Sequence, residues 1–135
     1  MSTDDAAKIW SLNYRVLMSV IASADADITA LGLDSKELFV LAEIDDHPYP
    51  AGLAATMSMP KATVTVYLKR LEAAGFVRRE IDPADLRRHR LQLTPAGRRA
   101  AKAGMALLSD AFGERLDRLT RAQQKELKIL LEKIL

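Results

Sequence analysis

Apolar residues recur at helical spacing in the first part of the chain, and their pattern predicts one long helix over residues 4–31. The main stripe consists of Ile9, Leu12, Val16, Val20 and Ala24. Flanking residues widen this apolar face to more than half of the helix circumference: Trp10, Tyr14, Leu17, Met18 and Ile21. A surface helix of a monomer needs only a narrower stripe, so the width predicts packing against both its own domain and another chain. The alternative is the central helix of a monomeric bundle.

Capping and stop signals divide the next part of the chain into further helices. Asp34 and Glu37 have the spacing of a capping box, and the helix that they begin ends before Pro48. Small apolar residues predict a short helix over 50–57. Another helix is predicted over 60–74, because its apolar positions have helical spacing and Gly75 supplies a C-terminal stop.

A hairpin is predicted after these helices. Phe76–Ile81 and Arg88–Leu93 have the pattern of strands, and Asp82–Asp85 between them has strong turn chemistry. The fold class is therefore mainly α, with one small β-hairpin (α+β).

Two more helices complete the predicted elements. Thr94 and Pro95 begin a long helix. Thr120 and Gln123 then form a capping box before the last helix, at residues 121–135. We expect the inward residues of the long helix to be Leu107, Leu108, Ala111, Phe112 and Leu116. The stripe of the last helix is Leu127, Leu130, Leu131 and Ile134.

The order of short helix, turn, second helix and hairpin is that of a helix-turn-helix with a wing, which suits DNA. On helix 60–74 the inward face is predicted to be Val64, Tyr67, Leu68 and Leu71. The outward face is predicted to be Ala62, Thr65, Val66, Lys69 and Ala73. Small outward residues allow a close approach to base edges, whereas an ordinary solvated face is richer in Glu and Lys.

Charge along the chain supports the same interpretation. The net charge is only +2, but residues 1–59 carry nine acids and three bases. Residues 60–99 carry ten bases and four acids. A basic block that coincides with the predicted helix and hairpin favours a polyanion partner over a plain solvated surface.

Composition argues against several other classes of protein. The chain has no cysteine, which excludes disulfides, thiolate metal sites and cysteine-based redox sensing. Its two histidines, His47 and His89, do not supply a zinc ligand set, so we expect neither a metal nor a cofactor. No catalytic motif is recognisable, and we expect no enzyme activity.

The acidic start and the interrupted apolar stretch predict neither a secretion signal nor a membrane span, so the expected location is the cytoplasm.

The motifs of the chain resemble those of the MarR family of winged-helix transcriptional regulators. The specific stretch is residues 62–97, with Ala62–Thr65, Arg70–Arg79, Asp82–Asp85 and Leu93–Gly97 as its matching parts. The resemblance implies a homodimer joined through the first and last helices. It also implies binding to double-stranded DNA at a pseudo-palindromic operator, usually as a repressor and often released by a small-molecule effector.

The resemblance also assigns regions and residues. Residues 1–31 and 98–135 form the helical dimerisation region, and residues 32–97 form the winged-helix DNA-binding lobe. The candidate DNA contacts are Lys61, Ala62, Thr63, Thr65, Val66, Lys69, Arg70, Arg87, Arg88 and Arg90. Two positions depart from the family pattern, because Val66 and Leu86 stand where arginine is often found.

A ligand site is expected between the dimer helices and the DNA-binding lobe, where the resemblance places it. Its candidate residues are the aromatic side chains Trp10, Tyr14, Phe39 and Phe112. The alternative is that these aromatic residues are plain core. For the whole chain, the alternatives are a winged helix used for protein–protein assembly and a ligand-binding dimer that has lost DNA binding.

Overall fold

The computed structural model describes all residues from 1 to 135 and confirms the mainly helical fold with one hairpin. The elements in chain order are α1 (Thr3–Ala30), α2 (Ser35–Glu43), α3 (Pro50–Met57), α4 (Lys61–Ala73), β1 (Val77–Asp82), β2 (Asp85–Leu93), α5 (Pro95–Leu116) and α6 (Arg121–Ile134). No single helix is long and apolar enough to cross a membrane, although a bent α1–α2 pair meets that test on length and composition alone.

The chain forms two compact units. The winged-helix unit comprises Asp25–Leu107, and the helical unit comprises Met1–Ala24 with Leu108–Leu135. The division predicted from the sequence lay at residues 31 and 97. It therefore assigned the end of α1 and most of α5 to the helical region, whereas the structure has residues 25–31 and 98–107 in the winged-helix unit. As a division into a dimerisation region and a DNA-binding lobe, it stays a prediction.

The core of the winged-helix unit comes from every one of its elements. Its fully enclosed side chains are Ile28, Leu38, Val40, Leu41, Ile44, Leu53, Val64, Leu68, Leu71 and Leu91. On α4 the buried residues are Val64, Leu68 and Leu71, with Tyr67 half-buried, as the helical period predicted. Burying this stripe leaves the opposite face of α4 toward solvent.

Helix ends follow the local signals of the sequence. The N–H of Glu37 donates to Asp34 Oδ1 at 2.7 Å, and Thr120 and Gln123 form a reciprocal capping box. Gly75 follows α4 with a φ of 79°, a left-handed conformation that favours glycine. The predicted stop of α4 is therefore confirmed.

The hairpin, which we call the wing, is tighter than the sequence predicted. Its strands are antiparallel, and Asp82 pairs with Asp85 across a two-residue turn, so β2 begins three residues before Arg88. The carboxylate of Asp82 accepts from Ala84 N at 2.9 Å, and that of Asp85 accepts from Arg87 N at 3.0 Å. Because the next pair is Ile81 with His89, residues 86–88 bulge from β2.

The buried positions of α5 are mostly small. Gly97, Ala100, Ala101 and Gly104 are buried, whereas the residues that were expected inward are half-buried: Leu107, Leu108, Ala111, Phe112 and Leu116. A Cβ on Gly104 would lie 2.5 Å from Leu38 Cδ1. The side chain of Leu38 fills the space beside Gly104, a constraint that apolar periodicity does not reveal.

The helical unit leaves large apolar side chains exposed on both α1 and α6. On α1 these are Ile9, Trp10, Leu12, Tyr14, Val16, Leu17 and Met18. On α6 they are Ile129, Leu130, Leu131 and Ile134. The apolar arc of α1 is thus wider than one chain covers. Contiguous apolar surface of this kind marks an interaction site.

Candidate nucleic-acid interface

The outward face of α4 carries most of the candidate contact residues. Lys61, Ala62, Val66, Lys69 and Arg70 are exposed, and Val66 keeps 48% of its surface accessible. Thr63 and Thr65 on the same helix are half-buried. The Thr65 hydroxyl donates to Lys61 O at 3.0 Å within the helix. Its donor hydrogen is engaged there, so the hydroxyl offers only an acceptor to a partner on this part of the face.

The N-termini of α3 and α4 have no side-chain caps. Pro60 precedes α4 and Tyr49 precedes α3, and neither side chain bonds to its own helix. The Pro60 carbonyl accepts from Thr63 N and Val64 N, which leaves the N–H groups of Lys61 and Ala62 without an intrahelical acceptor. Free N–H groups at the positive end of a helix dipole favour an anion.

A groove of about 370 Å³ joins these two helix ends to the wing. We call it the wing groove, and its basic lining consists of Lys61, Arg79, Arg87, Arg88 and His89. The remaining lining residues are Tyr49, Pro50 and Ala51, so no carboxylate lines it. The fold thus brings Lys61, Arg87 and Arg88, three of the candidate DNA contacts, to one cationic surface.

The basic residues near the wing differ in how freely they can bind an anion. Arg79 Nε lies 2.9 Å from Glu72 Oε1, and both side chains are about one-third exposed. Arg87 Nε lies 3.3 Å from Asp85 Oδ1, but its side chain is 91% exposed. An exposed pair of this length is weak. Arg90 lies elsewhere, beside a cavity of about 310 Å³ that it shares with Asp45 and Arg98.

Tyr49 is a residue of this site that sequence reasoning missed. Its hydroxyl donates to Asp82 Oδ2 at 2.5 Å, and the Arg88 guanidinium carbon lies 3.8 Å from its ring centroid. The bond from Tyr49 and the backbone N–H of Ala84 lower the pKa of Asp82, and the bond to Asp82 raises the pKa of Tyr49. The only sequence signal was a tyrosine at a helix N-cap, where a small capping residue is usual.

The aromatic ligand candidates are divided between the two units. Trp10 and Tyr14 are exposed on α1, with ring centroids 6.2 Å apart. Phe39 is half-buried on α2 in the winged-helix unit. Phe112 alone among them lines a cavity of about 530 Å³ within the helical unit, together with Leu12, Val16 and Arg115. No group of three or more His, Asp or Glu side chains is arranged to hold a metal ion.

A curated relative matches nearly the whole chain. The transcriptional repressor Rv2887 of Mycobacterium tuberculosis is 33% identical over 136 aligned residues, which cover 99% of this chain and 98% of the relative. A model of the MarR family matches residues 31–88, from the end of α1 to the wing bulge.

Solved structures have the same fold. The structure of Rv2887 in complex with DNA has a TM-score of 0.72 and 32% identity, covering 92% of this chain and 94% of the other. The structure of Rv2887 in complex with salicylic acid has a TM-score of 0.73 and 34% identity, and the match covers 91% of this chain and 93% of the other. The structure of CouR from Rhodococcus jostii bound to p-coumaroyl-CoA has a TM-score of 0.82 and 24% identity, and the match covers 98% of this chain and 95% of the other. At this identity the likeness is one of fold. The chain therefore belongs to the MarR family of transcriptional regulators.

Proposed function

We propose that this chain is a homodimeric transcriptional regulator that places α4 in the major groove of duplex DNA and the wing against the adjacent backbone. The observation that carries this proposal is the wing groove. There Lys61 and Arg87 lie beside two uncapped helix N-termini, with no carboxylate in the lining. Such a surface neutralises phosphates. We propose no catalytic role and no cofactor.

The outward face of α4 would supply sequence recognition. Helix-turn-helix proteins contact base edges through the N-terminal part of this helix, which here holds Lys61, Ala62 and Thr63. Val66 stands exposed where an arginine is frequent in the family. We propose that Val66, with Ala62 and Thr65, reads DNA partly by apolar contact with thymine methyl groups.

The homodimer would use the exposed apolar surface of α1 and α6. These helices carry large exposed side chains such as Trp10, Leu130 and Ile134, which one chain does not cover. A two-fold dimer presents two copies of α4, so it binds two half-sites about one helical turn, or 34–36 Å, apart. The relative Rv2887 is a repressor that has been crystallised with DNA, which supports repression as the direction of control.

A small-molecule effector would release the dimer from its operator. Rv2887 has been crystallised with salicylic acid, and this chain is 34% identical to it. Trp10, Tyr14, Phe39 and Phe112 remain the candidate ligand residues, of which Phe112 lines a cavity. A DNA-binding role requires access to the chromosome, so the proposal includes the cytoplasmic location expected from the sequence.

Selection from a pool of random duplex DNA at a fixed salt concentration tests this function. We expect enrichment of a palindromic motif, and an affinity for it that falls steeply as salt rises. Enrichment of no motif, with no measurable affinity for any duplex at low salt, would contradict the proposal. That outcome would favour an assembly module or a ligand-binding dimer that has lost DNA binding.

A further inference from the structure

We propose that Tyr49 is a positioning residue for DNA binding, which fixes the wing against the start of α3 by holding Asp82 and Arg88. This inference rests on the proposed function, because it explains how the wing is held ready for the DNA backbone. It concerns a contact between two parts of the winged-helix unit that lie 33 positions apart in sequence.

The place of Tyr49 in the fold is unusual for its residue type. It is the N-cap of α3, where Ser, Thr, Asp or Asn would satisfy a free N–H of the first turn. Tyr49 makes no such bond, and its hydroxyl reaches the wing instead. The helix start thus lacks a stabilising cap, and the side chain at that position serves a contact elsewhere.

The bond to Asp82 holds the wing where it turns. Asp82 is the last residue of β1 and only 5% exposed, yet it is the one charged residue that the fold buries. Its two carboxylate oxygens accept from the Tyr49 hydroxyl at 2.5 Å and from Ala84 N at 2.9 Å. A buried carboxylate needs such donors, and a hydroxyl at this distance is a strong one.

The stack with Arg88 holds the bulged part of the wing. Arg88 lies in the bulge of residues 86–88, where β1 offers no pairing partner. Its guanidinium carbon lies 3.8 Å from the Tyr49 ring centroid, well within the range of a cation–π contact. Next to Tyr49, the carbonyl of Pro48 accepts from Leu91 N at 2.8 Å. The segment 48–49 therefore contacts the wing at three points.

Two neighbouring arginines then have different roles. The Arg87 side chain is 91% exposed and free to reach a phosphate, whereas Arg88 is engaged by Tyr49 and acts through the position of the wing. A wing already held in one orientation loses less conformational freedom on binding. Loss of the contact should therefore weaken DNA binding without removing a phosphate contact.

Hydrogen exchange of the free protein tests the contact without DNA. We compare the wild-type chain with Tyr49→Phe, which keeps the ring beneath Arg88, and with Tyr49→Ala, which removes both contacts. We expect faster exchange of the wing amides at residues 84–90 in Tyr49→Phe, and still faster exchange in Tyr49→Ala, with the amides of α5 unchanged. Wing amides that exchange at the wild-type rate in both variants would overturn the inference.

DNA affinity measured over a range of salt concentrations separates positioning from phosphate binding. We expect Tyr49→Phe to weaken binding roughly tenfold or more at every salt concentration, since loss of one hydrogen bond to a charged group has at least that effect. The salt slope should stay at the wild-type value for Tyr49→Phe and Arg88→Ala, and fall by about one for Arg87→Ala. In a double-mutant cycle, Tyr49→Ala and Arg88→Ala should be less than additive.

The outcomes distinguish this inference from the proposed function. A wild-type chain that binds no duplex overturns the proposed function, and the role in DNA binding with it. A wild-type chain that binds duplex, with Tyr49→Phe binding equally well, overturns only the inference. Arg88→Ala could instead lower the salt slope by about one, and its effect on affinity could add to that of Tyr49→Ala. This result would make Arg88 a phosphate ligand and would also overturn the inference.

Discussion

The carbonyl oxygen of Phe76 lies against Gly97, so close that a Cβ built on Gly97 would stand 1.9 Å from it. The same carbonyl accepts from Thr94 N at 3.0 Å, and the Thr94 hydroxyl donates to Gly75 O at 2.6 Å. The first turn of α5 therefore rests directly on the backbone that leads into the wing. Only a hydrogen atom fits between them, and this contact sets where the wing begins.

Gly97→Ala should destabilise the winged-helix unit by about 3 kcal/mol, because the clash is with backbone rather than with a movable side chain. Gly104→Ala, whose Cβ would meet the enclosed methyl groups of Leu38, should cost about 2 kcal/mol, because a packed side chain can yield more than backbone but not freely. Gly113→Ala is the matched control on the same helix, with no atom within 4 Å of the added Cβ. It should stabilise the chain by about 0.5–1 kcal/mol. Chemical unfolding measures all three, and equal effects of Gly97→Ala and Gly113→Ala would contradict the packing argument.

The elements of this fold could be predicted from the sequence because their signals are local. Burial of Val64, Leu68 and Leu71 follows from helical period alone, and the ends of α4 and α6 follow from Gly75 and Thr120. The close packing of Gly97 against Phe76 could not be predicted, since it depends on the distance between two elements. In the sequence, Gly97 was only the last residue of the matching stretch Leu93–Gly97.

The candidate site was predictable in part for the same reason. The outward position of Val66 and Lys69 is a matter of helical period, and both side chains are exposed in the structure. The contact of Tyr49 with Asp82 crosses 33 positions, and no local pattern encodes it. The bulge at residues 86–88 depends on how the strands pair, so the alternation of β2 alone placed its start too late.

Arg87→Ala should weaken binding to all DNA sequences alike and lower the salt slope by about one, because it removes one exposed charge next to the backbone. Lys128→Ala is the control, since Lys128 is equally cationic, 78% exposed and on α6. It should leave the slope unchanged. Titration of labelled duplexes at several salt concentrations measures both variants. A loss that is confined to one base position would instead assign Arg87 to direct base readout.

Val66→Arg should change the sequence preference of the protein, because it replaces an apolar contact by a donor that favours guanine. Ala73→Arg adds the same charge to an exposed position near the C-terminal end of α4 and serves as the control. Selection from random duplexes compares the motifs of the two variants with that of the wild type. The proposal predicts a new base preference for Val66→Arg only. An unchanged motif would rule out readout through Val66.

Leu130→Asp should convert the dimer into monomers, because it places a charge on the exposed apolar stripe of α6. Ala122→Asp introduces the same charge at an exposed position in the first turn of α6 and should leave the dimer intact. Sedimentation at micromolar concentration gives the mass of each variant, and circular dichroism checks that the helices persist. Wild-type chains that sediment as monomers would contradict the dimer and every prediction that depends on it.

Acid should loosen the wing through Asp82. Its pKa is held below the ordinary value of 3.8, chiefly by the hydroxyl of Tyr49 and next by the N–H of Ala84. A carboxyl group whose pKa is lowered on folding stabilises the fold above its unfolded pKa, and this contribution is lost as pH falls through the folded pKa. Unfolding of wild type and Asp82→Asn from pH 7 to pH 2 should thus show the wild type more stable near neutrality, with the difference shrinking below about pH 4. A difference that stays constant over the whole range would mean that the charge on Asp82 contributes nothing.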